Sequence, residues 1–205
     1  MNYQSLIQKY PITTDQITRD ELAVILRELA AVLEERIDGD IVELGCYQGT
    51  ASLFMRRLID VFDSANELHV YDSFAGLPPK TAADASGAGE QFQAGELLAT
   101  KKQVVTAFKH AGLQVPHIHK GWFSDLTAAD MPEQIAFAFL DGDFYGSIID
   151  SLKLVWPRMQ PGGVVLIDDY QRDALPGVKR AVEDFFGGLP QGLRHEASIA
   201  IIKKS

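Results

Sequence analysis

The chain has 205 residues, a formal net charge of −9 and a 46% share of hydrophobic residues. That length suits one domain with a real core, and the acidic balance argues against a general binder of nucleic acid or anionic membrane, because such a protein needs a basic face to neutralise phosphates. No run approaches the roughly 20 apolar residues that span a bilayer, Met1 is followed by a polar stretch, and Cys46 is the single cysteine, so a cytoplasmic protein with no membrane partner, no nucleic-acid partner and no internal disulfide is expected.

Residues Met1 to Asp15 show no clean period and read as a loose arm or short helix. Thr18 and Glu21 form a capping-box pattern ahead of Leu22, Ile25, Leu26, Leu29 and Leu33, which share one helical face. This amphipathic helix is expected to end near Asp38-Gly39, which makes residues 1–39 an N-terminal arm and helix. Ile41 to Leu44 reads as a short strand, followed by a glycine turn and a helix carrying Leu53, Phe54, Leu58 and Phe62. Leu68 to Tyr71 is a second strand, with Asp72 at its carboxyl end. From Ser73 to Gly95 the chain turns to Gly, Ala, Pro and small polar residues, and residues 73–95 are expected to be a mobile lid loop.

A helix over Glu96 to Ala111 and a strand over Val115 to Lys120 come next, then Gly121-Trp122-Phe123 and a short polar helix over Ser124 to Ala129. The apolar run from Ala136 stops at Asp141-Gly142-Asp143, and a helix is expected over Ser147 to Arg158. A P-G-G turn at Pro161 leads into a strand over Val164 to Ile167 that ends in Asp168-Asp169. Pro176 suits the first turn of a helix reaching Phe186, and Ile199 to Ile202 is a last strand, with room for one more short strand within Gly187 to Glu196. Alternating strands and helices give a doubly wound α/β fold with a mostly parallel sheet, as a single domain over 1–205 with an antiparallel strand at its C-terminal end. Right-handed crossovers then put Glu43, Asp72, Asp141 and Asp168 on one rim, where such sheets bind ligands.

The first turn, Glu43 to Gly49, reads E-L-G-C-Y-Q-G. Gly45 and Gly49 permit close backbone approach to a ligand, but the spacing lacks the full dinucleotide fingerprint, and Cys46 and Tyr47 stand where a pyrophosphate would want bare backbone. That favours a nucleoside without phosphate, whose cationic tail Glu43 could meet. A carboxylate at Asp72 can accept hydrogen bonds from both ribose hydroxyls. Asp141, Asp168 and Asp169 end neighbouring strands; clustered carboxylates repel unless a cation neutralises them, and oxygen ligands suit Mg²⁺, Ca²⁺ or Mn²⁺. Asp143 is read as a helix cap or orienting group rather than a ligand. The histidines, His117 and His119 among them, show no metal spacing and read as packed or surface residues. Trp122 could stack on a purine or pack in the core, whereas Trp156 and Cys46 read as core.

Taken in order, Glu43 to Gly49, Y-D-S-F-A-G-L-P at Tyr71, G-W-F-S-D at Gly121, L-D-G-D-F-Y-G-S at Leu140 and I-D-D-Y at Ile167 resemble the macrocin O-methyltransferase family. The resemblance implies the class I S-adenosylmethionine-dependent methyltransferase fold, with S-adenosylmethionine and Mg²⁺ as cofactors. It matches Asp141, Asp168 and Asp169 to metal ligands, Asp141 also to a general base, and Glu43 and Asp72 to acids that hold the methionine tail and ribose. The cofactor-binding set it implies is Glu43, Gly45, Tyr47, Gly49, Thr50, Asp72, Ser73, Trp122 and Asp141. The expected partner is a small-molecule hydroxyl acceptor, a sugar or glycosylated natural product, and self-association into a homo-oligomer is a further expectation. Compared with the antibiotic enzymes the chain looks short at its amino end, Gly146 replaces a larger polar residue, and the final hairpin looks abbreviated. The rivals are a catechol-type metal-dependent O-methyltransferase, a nicotinamide-dependent reductase and a silent nucleoside-binding module.

Overall fold

The computed structural model describes residues 3–88 and 91–205; residues 1–2 and 89–90, which fall in the expected arm and lid loop, lie outside the described residues. A seven-stranded sheet in the order β3-β2-β1-β4-β5-β7-β6 runs through the middle. Its strands are β1 (Asp40–Leu44), β2 (Leu68–Asp72), β3 (His117–Lys120), β4 (Ile135–Leu140), β5 (Met159–Ile167), β6 (Arg194–Glu196) and β7 (Ile199–Lys203). The first five pair in parallel, and β7 inserts antiparallel between β5 and β6.

The sheet pleat divides the core. Ile41, Phe137, Phe139, Val164 and Leu166 face a layer formed by α1 (Tyr3–Lys9), α2 (Arg19–Glu34) and α3 (Thr50–Val61), joined by Val104 and Phe108 of α4 (Lys101–His110). Val42, Leu44, Ala138, Leu140, Val165 and Ile167 face α5 (Tyr145–Val155) and α6 (Pro176–Phe186). β4 is buried along its whole length, as its unbroken apolar run requires of a central parallel strand. Among the described residues no helix is long and apolar enough to cross a membrane.

Most expected elements stand where their patterns place them, and the differences have local causes. Thr18 caps α2 with the reciprocal Glu21 bond, but α2 stops at Glu34, short of Asp38. The helix expected from Glu96 starts only at Lys101, because Thr100 and Gln103 form their own capping box and Leu97 has a φ of 55°. The polar helix after Trp122 is two single 3₁₀ turns, Phe123–Asp125 and Ala128–Asp130. Pro161-Gly162-Gly163 is not a turn: β5 runs through it from Met159, held there by Gly162 N–H to the Lys204 carbonyl and Lys204 N–H to the Gly163 carbonyl, each 2.8 Å.

The long segment after β2 is fastened to the body at its middle. Asp84 is 1% exposed; its Oδ2 closes a capping box with Thr81, and its Oδ1 accepts the Tyr145 N–H at 2.7 Å, capping α5. That bond corrects the expectation that Asp143 caps this helix. At the base of the segment, Leu77 N–H donates to the Glu96 carbonyl and Gly95 N–H to the Leu77 carbonyl, at 2.8 and 2.9 Å.

Candidate active site

Parallel pairing fixes where the carboxyl ends of the strands meet. Leu44 is level with Tyr71 and Leu140, and Leu140 with Ile167. The next residues bind across those ends: Gly45 N–H donates to the Tyr71 carbonyl, Asp141 N–H to the Leu44 carbonyl and Asp168 N–H to the Leu140 carbonyl, at 2.8, 2.8 and 2.9 Å. A cavity opens above this rim.

One wall is the first turn. Gly45 has a φ of 95°, Tyr47 a φ of 47°, and both line the cavity. Asp72 ties this turn to β2: its Oδ2 accepts the Cys46 and Tyr47 N–H groups at 3.0 and 3.1 Å, and its Oδ1 accepts the Phe74 N–H at 2.7 Å. Ser73 lies beside it on the same wall. The cavity also has an apolar lining from Leu77, Pro78, Leu97, Trp122 and Phe123, and Trp122 is 37% exposed.

The floor is acidic. Asp141, Asp143 and Asp169 line it, and Arg172 borders it with Nη1 donating to Asp169 Oδ1 at 2.8 Å. Burial pushes the Asp141 carboxyl well above its ordinary range, and the charges of Asp168, Asp143 and Asp169 push it further. Burial, then Asp169 and Asp168, lift Asp143 to about 8; burial, then Asp169 and Glu21, lift Asp168 to about 7. Four carboxyls thus repel one another in a poorly solvated place.

The structure brings Gly45, Tyr47, Asp72, Ser73, Trp122, Asp141 and Asp169 to one cavity, and leaves Glu43, Gly49, Thr50 and Asp168 off its wall. The pleat explains Glu43: it follows Ile41 onto the α3 side, where Ser52 Oγ donates to it, and it is 1% exposed. Burial lifts its carboxyl to about 8. Gly49 backs onto Val104 of α4, and Thr50 Oγ1 meets Thr13 Oγ1 at 3.0 Å. Asp168 continues the same alternation from Leu166 toward α2: its Oδ1 stands 2.7 Å from Ser198 Oγ, which also reaches Glu21 Oε1 at 2.6 Å. Asp169, at a φ of 55°, swings back to the cavity. Among the described residues no three His, Cys, Asp or Glu side chains gather closely enough to hold a metal ion, so the expected triad of Asp141, Asp168 and Asp169 shares a rim without converging.

Sequence reasoning missed Gln16, Gly142, Ser147 and Arg172 on the cavity wall, and it placed Asp143 only as scaffold. Arg172, three positions after Asp169, carried a local i,i+3 signal; Gln16 carried none, because it arrives from the segment ahead of α2. His69, His117 and His119 lie together at the β3 edge of the sheet, where His69 stacks on His117 and Tyr71 on His119 at centroid distances of 4.6 and 4.3 Å. Cys46 is buried, and Trp156 packs edge-on against Phe186 at 4.9 Å.

The chain is 36% identical over 163 residues to the 8-demethyl-8-(2,3-dimethoxy-alpha-L-rhamnosyl)-tetracenomycin-C 4'-O-methyltransferase of Streptomyces olivaceus, covering 76% of this chain and 61% of that protein. It is 31% identical to the mycinamicin III 3''-O-methyltransferase of Micromonospora griseorubida, covering 76% of this chain and 63% of that one. The solved structure of the O-methyltransferase NovP superposes with a TM-score of 0.76 at 25% identity, covering 90% of this chain and 79% of that chain. The chain therefore spans about three fifths of the length of the curated relatives it matches. The family model of the macrocin-O-methyltransferases (TylF) matches residues 10–191, which hold β1 to β5 and α2 to α6, and the chain belongs to that family.

Proposed function

We propose that this chain transfers a methyl group from S-adenosylmethionine to a hydroxyl of a sugar or glycosylated small molecule. The observation that carries the reading is one cavity whose walls hold Gly45, Asp72, Trp122 and Asp141 together. Gly45 lets the first turn close on the Asp141 backbone and borders the methionine portion, Asp72 accepts from the ribose hydroxyls, and Trp122 stacks on the adenine. Asp141, on the cavity wall at the end of β4, is the carboxylate that would take the acceptor's proton. The methyl leaves the sulfonium with its bond to sulfur broken, a new carbon–oxygen bond forms, and the hydroxyl proton passes to Asp141. Glu43, behind the pleat, supports the turn through Ser52 rather than meeting the cofactor directly.

A divalent cation such as Mg²⁺ belongs to the same reading. The donor chemistry fits: Asp141, Asp168 and Asp169 are hard oxygen donors whose mutual repulsion a cation would relieve. To hold it those three side chains would have to turn toward one another, which frees the oxygen of Asp169 that Arg172 takes and the oxygen of Asp168 that Ser198 takes. When bound, such a cation polarises an acceptor hydroxyl and lowers its pKa. The described residues of the segment after β2, fastened at Asp84, would then serve as a cover over the acceptor. The relatives named for methylating a rhamnosyl tetracenomycin and a mycinamicin favour a sugar hydroxyl over a catechol.

The test is calorimetry with S-adenosylhomocysteine and with NAD, followed by transfer of a labelled methyl group to sugars with neighbouring hydroxyls and to catechols, with and without Mg²⁺. Binding of S-adenosylhomocysteine with transfer to sugars is expected. Tight NAD binding with no response to S-adenosylhomocysteine would sink the reading, and transfer that ignores Mg²⁺ and chelator would remove the cation from it.

A further inference from the structure

The charged side chains on the cavity wall are acidic except at one place. Asp72, Asp141, Asp143 and Asp169 line it, and Arg172 is the lone Lys or Arg doing so among the described residues. Arg172 also lines a second, shallower groove along the first turns of α6, where Lys179 and Arg180 stand. One side chain therefore separates an acidic chamber from a basic exit.

The three cations are lightly engaged. The Arg172 side chain is 47% exposed, and its single hydrogen bond among the described residues is the one from Nη1 to Asp169. Lys179 reaches Glu183 at 3.9 Å and Arg180 reaches Asp184 at 3.7 Å, both exposed pairs one helical turn apart. Pairs of that length and exposure contribute little, so both heads remain available to a stronger anion. The acids in the groove are Asp173 and Glu183, outnumbered by the bases, in a chain whose net charge is −9. The groove also opens at the N-terminal end of α6, whose dipole favours negative charge.

We propose that the acceptor is anionic: its reacting hydroxyl lies at Asp141, while a phosphate or diphosphate on the same sugar lies in the groove on Arg172, Lys179 and Arg180. The proposal rests on the methyl-transfer reading above and narrows its substrate class. Guanidinium groups bind phosphate oxygens with paired, charge-assisted hydrogen bonds, whereas a neutral glycoside offers the three cations nothing beyond the carboxylate each already meets. A sugar 1-phosphate and a nucleoside diphosphate sugar present the same chemistry to the groove.

The experiment uses the intact chain without added divalent cation. S-adenosylhomocysteine is titrated first; failure there overturns the methyl-transfer reading, while the phosphate titrations stay readable. Inorganic pyrophosphate and a nucleoside diphosphate are then titrated into the wild type and into the double variant Lys179→Gln/Arg180→Gln, whose unchanged melting temperature and S-adenosylhomocysteine affinity serve as folding controls. At least a tenfold loss of pyrophosphate affinity in the variant is expected, with wild-type affinity falling as salt rises. Tighter binding of the nucleoside diphosphate than of pyrophosphate assigns the nucleotide-linked source, and equal binding assigns the sugar phosphate. Initial methyl-transfer rates, with Mg²⁺ restored, are compared for the phosphorylated sugar and its neutral methyl glycoside. No pyrophosphate binding to the wild type, equal binding to both proteins, or a glycoside methylated as fast as its phosphorylated counterpart would each overturn the anionic acceptor.

Discussion

A methyl group on Gly45 would stand 1.8 Å from the carbonyl oxygen of Asp141, and Gly45 has a φ of 95°. The first turn and the end of β4 are therefore in backbone contact, and the cofactor wall is held against the acidic floor. Gly45→Ala combines left-handed backbone strain with a clash against backbone, and should cost at least about 2 kcal/mol. Thermal melts should show that loss as a fall of about 4–8 °C, with S-adenosylhomocysteine affinity reduced at least tenfold. A variant that melts and binds like the wild type would show that the turn can move away from β4.

Asp84 should be the fastening of the long segment after β2. Asp84→Ala removes the cap on the Tyr145 N–H and its own capping box with Thr81, for an expected loss of about 1–2 kcal/mol. Hydrogen exchange at the Tyr145 amide should accelerate. Gly177 provides the control: a Cβ there would lie 2.0 Å from Asp84 Oδ1. Gly177→Ala should therefore cost less in the Asp84→Ala background than alone. Additive costs would mean that the two residues do not meet.

Glu43 makes the fold sensitive to pH. Burial raises its carboxyl from an ordinary 4.5 to about 8. Because the folded value is the higher one, the folded chain binds more protons between those limits, and the stabilising contribution present below pH 4.5 is lost as pH rises toward 8. Glu43→Gln should flatten that decline by up to about 1.4 kcal/mol per pH unit. Chemical denaturation of both proteins from pH 5 to pH 8 checks it; parallel stability curves would rule Glu43 out as the titrating group.

Trp122 is the expected adenine platform. Trp122→Ala should weaken S-adenosylhomocysteine binding by about 1–2 kcal/mol, near tenfold, while Trp122→Phe should recover most of it. Calorimetry decides, and an unchanged affinity for the alanine variant would place the adenine elsewhere in the cavity.

Much of the architecture was legible because its signals are local. The Thr18 and Glu21 capping box, Pro176 at the start of α6 and the uninterrupted apolar run of β4 each act within a few residues, and each element stands where its pattern places it. Pro161-Gly162-Gly163 misled because a strand segment depends on partners, here the far C-terminal Lys204. The carboxylates divide in the same way. Their presence at strand ends was written in the sequence, and so was the resemblance that named a nucleoside cofactor.

Which of them face the cavity was decided by tertiary structure. The pleat sends Glu43 toward α3 and Asp168 toward Ser198, while the left-handed backbone at Asp169 turns the next carboxylate back to the cavity. Asp84 caps a helix 61 positions away, and Gln16 and Arg172 reach the same wall from opposite ends of the chain. The sequence by itself determined the elements, their order and the chemistry available at the rim, because periodicity, capping and strand-end acids are short-range properties. Only the tertiary structure decided which of those groups share one cavity, because side-chain direction at a strand end depends on pleat, on the φ of a single residue and on contacts between segments far apart in the chain.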